Sequence, residues 1–336
     1  MRCTVNLTGY RGTPAFVLIT CPLVSLSSSQ ASSRCYVDRM SKQQIRQLID
    51  ARLTQDGLVE TGVKGVQLFR VTESVRCAPA IYEPSLVTIV SGAKEAILDG
   101  TSHVYDSSQY LCCAMSMPVE AGTPMTSPDN PLLGVQISLD TRVMTELVIE
   151  TESAAGAIRT PKSGPLPQGM ALAHWDDTFT DAVLRLVQLM DSPTDAAVLG
   201  DGRLREVYYA LLKGEAGDTA RRAFGVGNEI ARAIAYLVDR LEEPVTIDDM
   251  ATQVGMSRAV FHRKFKQATT MSPIQFVKSM RLNSAAMMIA RGTNVTEAAM
   301  DVGYVSTSQF SREFKRMYGQ SPRQWSNTRQ LPARIA

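Results

Sequence analysis

The spacing of hydrophobic positions changes character along the chain. From Met40 to Leu53 apolar residues recur at helical intervals, which predicts an amphipathic helix. Beyond it the period falls to two. Short runs at Val66–Val71, Leu86–Val90, Glu95–Leu98, His103–Tyr105, Gln109–Met115 and Leu133–Ile137 are bounded by Gly, Pro, Asp or Ser, as strands are. Asp99-Gly100 between two of them predicts a hairpin turn. Short strands at this spacing predict a small barrel or sandwich. From His174 the helical interval returns. Phe179, Val183, Leu186, Val187 and Met190 make one apolar stripe; Leu204, Val207, Tyr208, Leu211 and Leu212 make another, which ends at Lys213-Gly214. Packing over the barrel is the default reading of either stripe, and sealing a dimer is the alternative. A Gly/Pro-rich loop, Ser153 to Gly169, separates the strands from these helices. Glu215 to Gly227, rich in Gly and Ala, reads as an interdomain linker.

The last third of the chain says one structural sentence twice. T-I-D-D-M-A-T-Q-V-G-M-S-R-A-V-F-H-R-K-F-K-Q-A-T-T-M-S-P ends at Pro273, and V-T-E-A-A-M-D-V-G-Y-V-S-T-S-Q-F-S-R-E-F-K-R-M-Y-G-Q-S-P ends at Pro322. Counted back from each Ser-Pro, Phe261/Phe310, Arg263/Arg312, Phe265/Phe314, Lys266/Lys315 and Ser257/Ser306 fall into register. Ala251/Ala299, Val254/Val302 and Gly255/Gly303 align when counted from each glycine, so the second copy carries one extra residue before its serine. The glycines stop a helix, the serines are placed to cap the next, and each copy is a helix-turn-helix. On the second helix of each copy, Phe261, Phe265 and Ala268 share a face, as do Phe310, Phe314 and Met317. The opposite face carries Ala259, His262, Arg263 and Lys266 in one copy and Ser308, Ser311, Arg312 and Lys315 in the other.

One basic helix face is more often a solvated surface than a reading head. The in-register recurrence of Phe, Arg, Phe and Lys reverses that expectation and points to two helices that enter DNA major grooves. There an arginine bonds guanine bidentately, each good pair supplying roughly 1–3 kcal/mol of discrimination. Between the copies, Ser272-Pro273 opens a helix that Arg291-Gly292 closes. About 18 residues at about 1.5 Å each give a connector of roughly 27 Å. Recognition helices in successive major grooves on one DNA face lie roughly 34 Å apart, which a connector of this size can hold.

The region from about Glu229 to Trp325 resembles the DNA-binding domain of the AraC/XylS family of bacterial transcriptional regulators. The A-T-Q-V-G-M-S turn, the F-H-R-K-F-K-Q helix, the Met-rich connector and the V-G-Y-V-S-T-S-Q-F-S-R-E-F-K-R-M-Y-G-Q-S-P block carry the resemblance. It implies base-reading positions at Ala259, His262 and Arg263 in the first helix and at Thr307, Ser308, Ser311 and Arg312 in the second. Arg258 joins the DNA-facing set, and Lys266 and Lys315, nearer the helix ends, are candidates for phosphate contacts. Ala259 is smaller than the residues often found at its position, so weaker direct readout is expected from the first helix. Residues from about Val59 to Leu139 resemble the cupin-like N-terminal domain of one subgroup of that family. Tyr82-Glu83-Pro84-Ser85, the G-A-K-E-A-I-L-D-G hairpin, and Tyr105-Asp106 followed by Gln109-Tyr110-Leu111 carry this second likeness. It implies a small effector bound inside the barrel.

Charge and composition agree. The net charge of +2 conceals an asymmetry: from Phe224 onward there are 15 Lys/Arg against 9 Asp/Glu, about +6, and the remainder holds 20 against 24, about −4. The basic excess lies with the repeat, where phosphate contacts require it. Six cysteines show no C-x-x-C pair and no zinc spacing, as suits a reducing cytoplasm. Cys112-Cys113 invites a redox-sensor reading, though buried apolar packing is the better one. Metal-dependent cupin enzymes need clustered histidines; His103, His174 and His262 are far apart in sequence. No G-x-G-x-x-G or G-x-x-x-x-G-K occurs, and no apolar run reaches transmembrane length. The Arg2/Arg11, Ala15–Leu26 and Ser-rich pattern at the start resembles a weak signal peptide, which fits poorly with a DNA regulator. Residues 1–39 are instead read as a disordered extension or as a mis-assigned start ahead of Met40.

The sequence therefore predicts an α+β chain. A cupin-like β-barrel with flanking helices spans 40–215, a linker 216–227, an all-α double helix-turn-helix domain 228–327 and a tail 328–336. The expected partners are double-stranded promoter DNA and a small effector, with a homodimer and an RNA polymerase contact left open. No cofactor, metal, catalytic residue or membrane is expected. The competing readings are a cupin-type enzyme carrying a DNA-binding module and a regulator with an unresponsive barrel.

Overall fold

The computed structural model describes residues 41–154, 169–225 and 228–327. The 1–39 extension, most of the 153–169 loop and the 328–336 tail lie outside the described residues. Residues 41–52 form helix α1. The strands follow in chain order: β1 (Gly57–Glu60), β2 (Val66–Val71), β3 (Val75–Tyr82), β4 (Ser85–Ser91), β5 (Ala93–Leu98), β6 (Thr101–Asp106), β7 (Gln109–Cys113), β8 (Met117–Thr123) and β9 (Leu132–Ser138). Helix α2 (Thr141–Ala154) intervenes before the last strand, β10 (Met170–His174). One antiparallel sheet has the order β1-β2-β9-β4-β7-β10, the other β3-β8-β5-β6.

Five of the six strand segments expected from the sequence lie wholly within strands, and the sixth, Gln109–Met115, overruns β7, which ends at Cys113. Asp99 and Gly100, both at positive φ (48° and 77°), form the two-residue turn between β5 and β6, where Leu98 pairs with Thr101. Four strands escaped the alternation pattern, two of them because they contain proline. β3 carries Pro79 but is an edge strand, where proline is tolerated. β8 carries Pro118, yet its pairing with β5 is confined to Glu120–Gly122, so the missing N–H lies outside that ladder. β4 is buried along its whole length because both of its faces are covered, which erases any alternation.

Helices α3 (Asp177–Gln188) and α4 (Pro193–Lys213) pack on the larger sheet. Phe179 stacks on Tyr110 of β7 with ring centroids 4.2 Å apart, and Trp175 meets Phe179 edge-on at 5.3 Å. The two stripes read from the sequence supply core: Phe179, Val183, Leu186 and Val187, then Leu204, Val207, Tyr208, Leu211 and Leu212, are all buried. Cys112 and Cys113 are fully buried, and burial pushes the Cys112 thiol up to about 12 and the Cys113 thiol higher still. A redox sensor needs accessible thiolate, so packing is their role here. Part of the segment read as an interdomain linker, Glu215 to Gly227, is helical. Gly217–Phe224 forms helix α5, whose Ala220, Ala223 and Phe224 are buried. Alanines and glycines there serve close helix packing rather than freedom of the chain.

The remaining helices are α6 (Glu229–Val238), α7 (Ile247–Gln253), α8 (Arg258–Thr269), α9 (Pro273–Ala290), α10 (Val295–Asp301), α11 (Thr307–Tyr318) and α12 (Pro322–Asn327). The 18-residue α9 joins the helix-turn-helix pairs and also rests on β3 and β8. Its first half, Phe276 and Met280, belongs to the core shared by the strand domain and α8. Its second half, Leu282, Ala285, Ala286 and Ile289, belongs to a separate core around α11. Where the halves meet, Asn283 is 2% exposed. Its Nδ2 donates to the carbonyls of Ala80 (2.8 Å) and Val119 (2.9 Å), register partners of β3 and β8. Its Oδ1 accepts from the Tyr318 hydroxyl at 2.7 Å.

Removing this carboxamide takes a hydrogen-bond partner from two carbonyls and a hydroxyl. Asn283→Ala is expected to lower the unfolding free energy by about 1–3 kcal/mol, measured by urea denaturation. An unchanged midpoint would show that water replaces the amide.

Candidate nucleic-acid interface

Each helix-turn-helix is built from its caps inward. Thr246 and Asp249 form a capping box at α7: the Thr246 N–H and hydroxyl reach Asp249 Oδ2 at 2.9 and 2.7 Å, and Asp249 N–H returns to Thr246 Oγ1 at 3.1 Å. These bonds, the hydroxyl's first, hold the Asp249 carboxyl below its usual range. Gly255 and Gly303 take φ of 66° and 80°, the left-handed turn that ends α7 and α10. Ser306 caps α11 by accepting from Gln309 N. Ser257 stands at the equivalent position of α8 but its side chain makes no cap bond, a departure from the expected symmetry. Ser272 and Gln275 make a second capping box, with Pro273 in the first turn of α9, as the Ser-Pro step predicts.

The phenylalanine pairs anchor both second helices. Phe261 and Phe265 are fully buried with centroids 5.3 Å apart, and Phe310 and Phe314 repeat this at 5.4 Å. Phe265 meets Phe276 of α9 at 5.1 Å, and Phe314 meets Trp325 of α12 at 5.8 Å. The Trp325 indole donates to the Ala286 carbonyl at 3.1 Å, tying α12 back to the connector. Met317, expected on the anchored face, is instead 42% exposed. Seven residues on from Phe310 it lies within about 20° of the same face, but it stands in the last turn of α11, one residue before the helix ends at Tyr318.

The opposite faces carry the site residues read from the sequence. On α8, Arg258, Ala259, Arg263 and Lys266 are exposed and His262 is half-buried. Ala259, His262, Arg263, Lys266, Gln267 and Ser272 line one open concavity of about 580 Å³, with the N-terminus of α9 at its side. His262 Nε2 is buried and makes no hydrogen bond, and Arg258 is held by Asp248 of α7 at 2.9 Å. On α11, Ser308, Arg312 and Lys315 are exposed, and Thr307 and Ser311 are half-buried. Arg263, Lys266, Arg312 and Lys315 form no ion pair among the described residues.

Sequence reasoning missed the groups that hold these faces in place. Glu313, between Arg312 and Lys315 on α11, accepts from Tyr304 Oη (2.8 Å) and Gln309 Nε2 (3.4 Å) and pairs with Lys278 of α9 (3.3 Å). Burial opposes its ionisation, but those three donors outweigh it and keep the carboxyl below its ordinary range. Arg281 donates to the Glu243 carbonyl at 2.6 Å, linking α9 to the segment ahead of α7. Asn283 had one sequence signal: a polar residue on the 276, 280, 283 apolar interval.

Comparison with known proteins places this architecture. The family model for the AraC-type transcriptional regulator N-terminus matches residues 62–219, and a helix-turn-helix domain model matches residues 250–328. The HTH-type transcriptional regulator MtrA of Neisseria gonorrhoeae is 35% identical over 97 residues, 29% of this chain and 32% of that protein. The HTH-type transcriptional activator RhaS of Escherichia fergusonii is 26% identical over 175 residues, 47% of this chain and 60% of that one. The chain thus spans less than two thirds of the length of these curated relatives. Among solved structures, ToxT from Vibrio cholerae aligns over 78% of this chain and 97% of its own, at 14% identity and a TM-score of 0.49. The DNA-binding domain of AdpA, solved with a target DNA, aligns over 30% of this chain and 90% of its own, at 26% identity and a TM-score of 0.29. With the two matched models following one another in this order and together covering most of its length, the chain belongs to the AraC/XylS family of transcriptional regulators.

Proposed function

We propose that the protein is a sequence-specific regulator that binds promoter DNA through α8 and α11. One observation carries this: both helices are pinned by a buried phenylalanine pair and turn unpaired Arg and Lys side chains outward at equivalent positions. Cations left without protein partners on a solvated face are available to phosphates and base edges. Ala259, His262 and Arg263 on α8 and Thr307, Ser308, Ser311 and Arg312 on α11 are the proposed base-reading set. Lys266 and Lys315 are proposed phosphate contacts. Arg258, already engaged by Asp248, is proposed to orient the start of α8 against the backbone.

The N-terminal domain is proposed to receive a small-molecule signal. Support comes from the bonds of Asn283, through which any change in the spacing of β3 and β8 reaches α9. Among the described residues no group of three or more His, Cys, Asp or Glu could hold a metal ion, and no helix is long and apolar enough to cross a membrane. Cytoplasmic residence is part of the proposal. A second copy of the chain and RNA polymerase stay among the proposed partners, with no surface assigned to either.

Arg312→Ala is expected to cost about 1–3 kcal/mol at one base position and to relax the preference there, read from affinities for a set of single-base variants of the bound site. Equal loss on every sequence would make Arg312 a phosphate contact. Lys315→Ala should instead weaken binding uniformly and reduce the slope of log affinity against log salt by about 0.9. A slope identical to that of the unaltered protein would remove Lys315 from the backbone contacts.

A further inference from the structure

The two turns of the repeat differ by one residue, and the structure identifies which. Met256 N–H and Tyr304 N–H each bond a helix carbonyl five residues earlier, Ala251 and Ala299, both at 2.9 Å. Tyr304 is thus the counterpart of Met256. Its side chain is buried against Phe310, centroids 5.3 Å apart, and its hydroxyl is fixed on Glu313. Ser306 is the counterpart of Ser257. The residue left over is Val305, with no equivalent in the first copy.

Val305 is 101% exposed, the most exposed of the large hydrophobic residues in the described chain. A single exposed valine is ordinary on a protein surface. This one stands apart by its place. It immediately precedes the capping serine of α11, two residues before Thr307 and three before Ser308, at the leading end of the helix proposed to enter the groove. It packs on nothing in the fold, so folding places no demand for an apolar, β-branched side chain there. In the major groove one base-edge group is apolar, the 5-methyl of thymine, and short apolar side chains recognise it. The first turn, one residue shorter, offers nothing comparable.

Resting on the DNA-binding reading above, we infer that Val305 reads a thymine methyl group in the half-site served by α11. It adds an apolar term to the polar contacts of Ser308, Ser311 and Arg312. The extra residue in the second turn gives α11 a specificity element that α8 lacks.

The test uses the full-length protein on a duplex carrying a bound site, with each thymine replaced in turn by uracil. At one position beside the bases affected by Arg312→Ala, uracil should weaken the unaltered protein by about fourfold, the effect of one buried methyl-sized group. In Val305→Ser that position should become indifferent to the methyl, and every other uracil should act as before. Because Val305 is solvent-exposed, the thermal unfolding midpoint of Val305→Ser should match that of the unaltered protein. Identical uracil profiles for the two proteins would overturn the inference, as would a uniform loss of affinity that leaves the profile intact, which marks a sugar–phosphate contact. Both outcomes leave the DNA-binding reading standing. Failure of the unaltered protein to prefer any duplex sequence would overturn both.

Discussion

A single carboxamide sits where three parts of the molecule meet. Asn283 lies halfway along the connector helix, its amide hydrogens on two paired strands of the N-terminal domain and its oxygen under a tyrosine of the second recognition helix. A buried amide must have partners with good geometry or it costs more than it contributes. That requirement fixes the rotation and height of α9 against the sheet. The apolar residues on either side of Asn283 then distribute themselves: those before it complete the core under α8, those after it the core under α11. Because helices do not stretch, the positions of both recognition helices follow from this one docking.

The recognition helices are alike in anchoring and unlike in detail. Each uses two phenylalanines one turn apart, so that the same buried face sets the same outward face. The first belongs to the core shared with the N-terminal domain, and the Gly169 N–H even bonds the Ala268 carbonyl near the end of α8 at 2.8 Å. The second has a core of its own, closed by Trp325 and steadied by the Tyr304, Glu313 and Lys278 network. The two helices are thus held differently: α8 is held by the N-terminal domain, whereas α11 stands free of it except through Asn283 and Tyr318.

Much of this was legible in the sequence, for identifiable reasons. Helical and strand periodicity exposed the α+β division, because half-covered elements write alternation into the chain. The repeat exposed the helix-turn-helix pairs, since Phe, Gly and Ser are each demanded by a local geometry. What stayed hidden was long-range. Asn283 bonds residues 203 and 164 positions away, and no local pattern announces such a pairing. β3 and β8 were masked by prolines that their edge and end positions excuse. α5 was masked by small residues that look like a linker until a neighbour packs on them. Ser257 and Met317 show the converse failure: the pattern suggested a cap bond that Ser257 does not make and a buried place for Met317, which the end of α11 leaves exposed.

The central claim is that one stiff connector holds two reading helices at the spacing of a single DNA turn. Guanine methylation interference on the bound promoter tests it most directly. Two clusters of interfering bases should lie on one face of the duplex with centres about 10 base pairs apart. A single cluster, or two whose separation puts them on opposite faces, would contradict it.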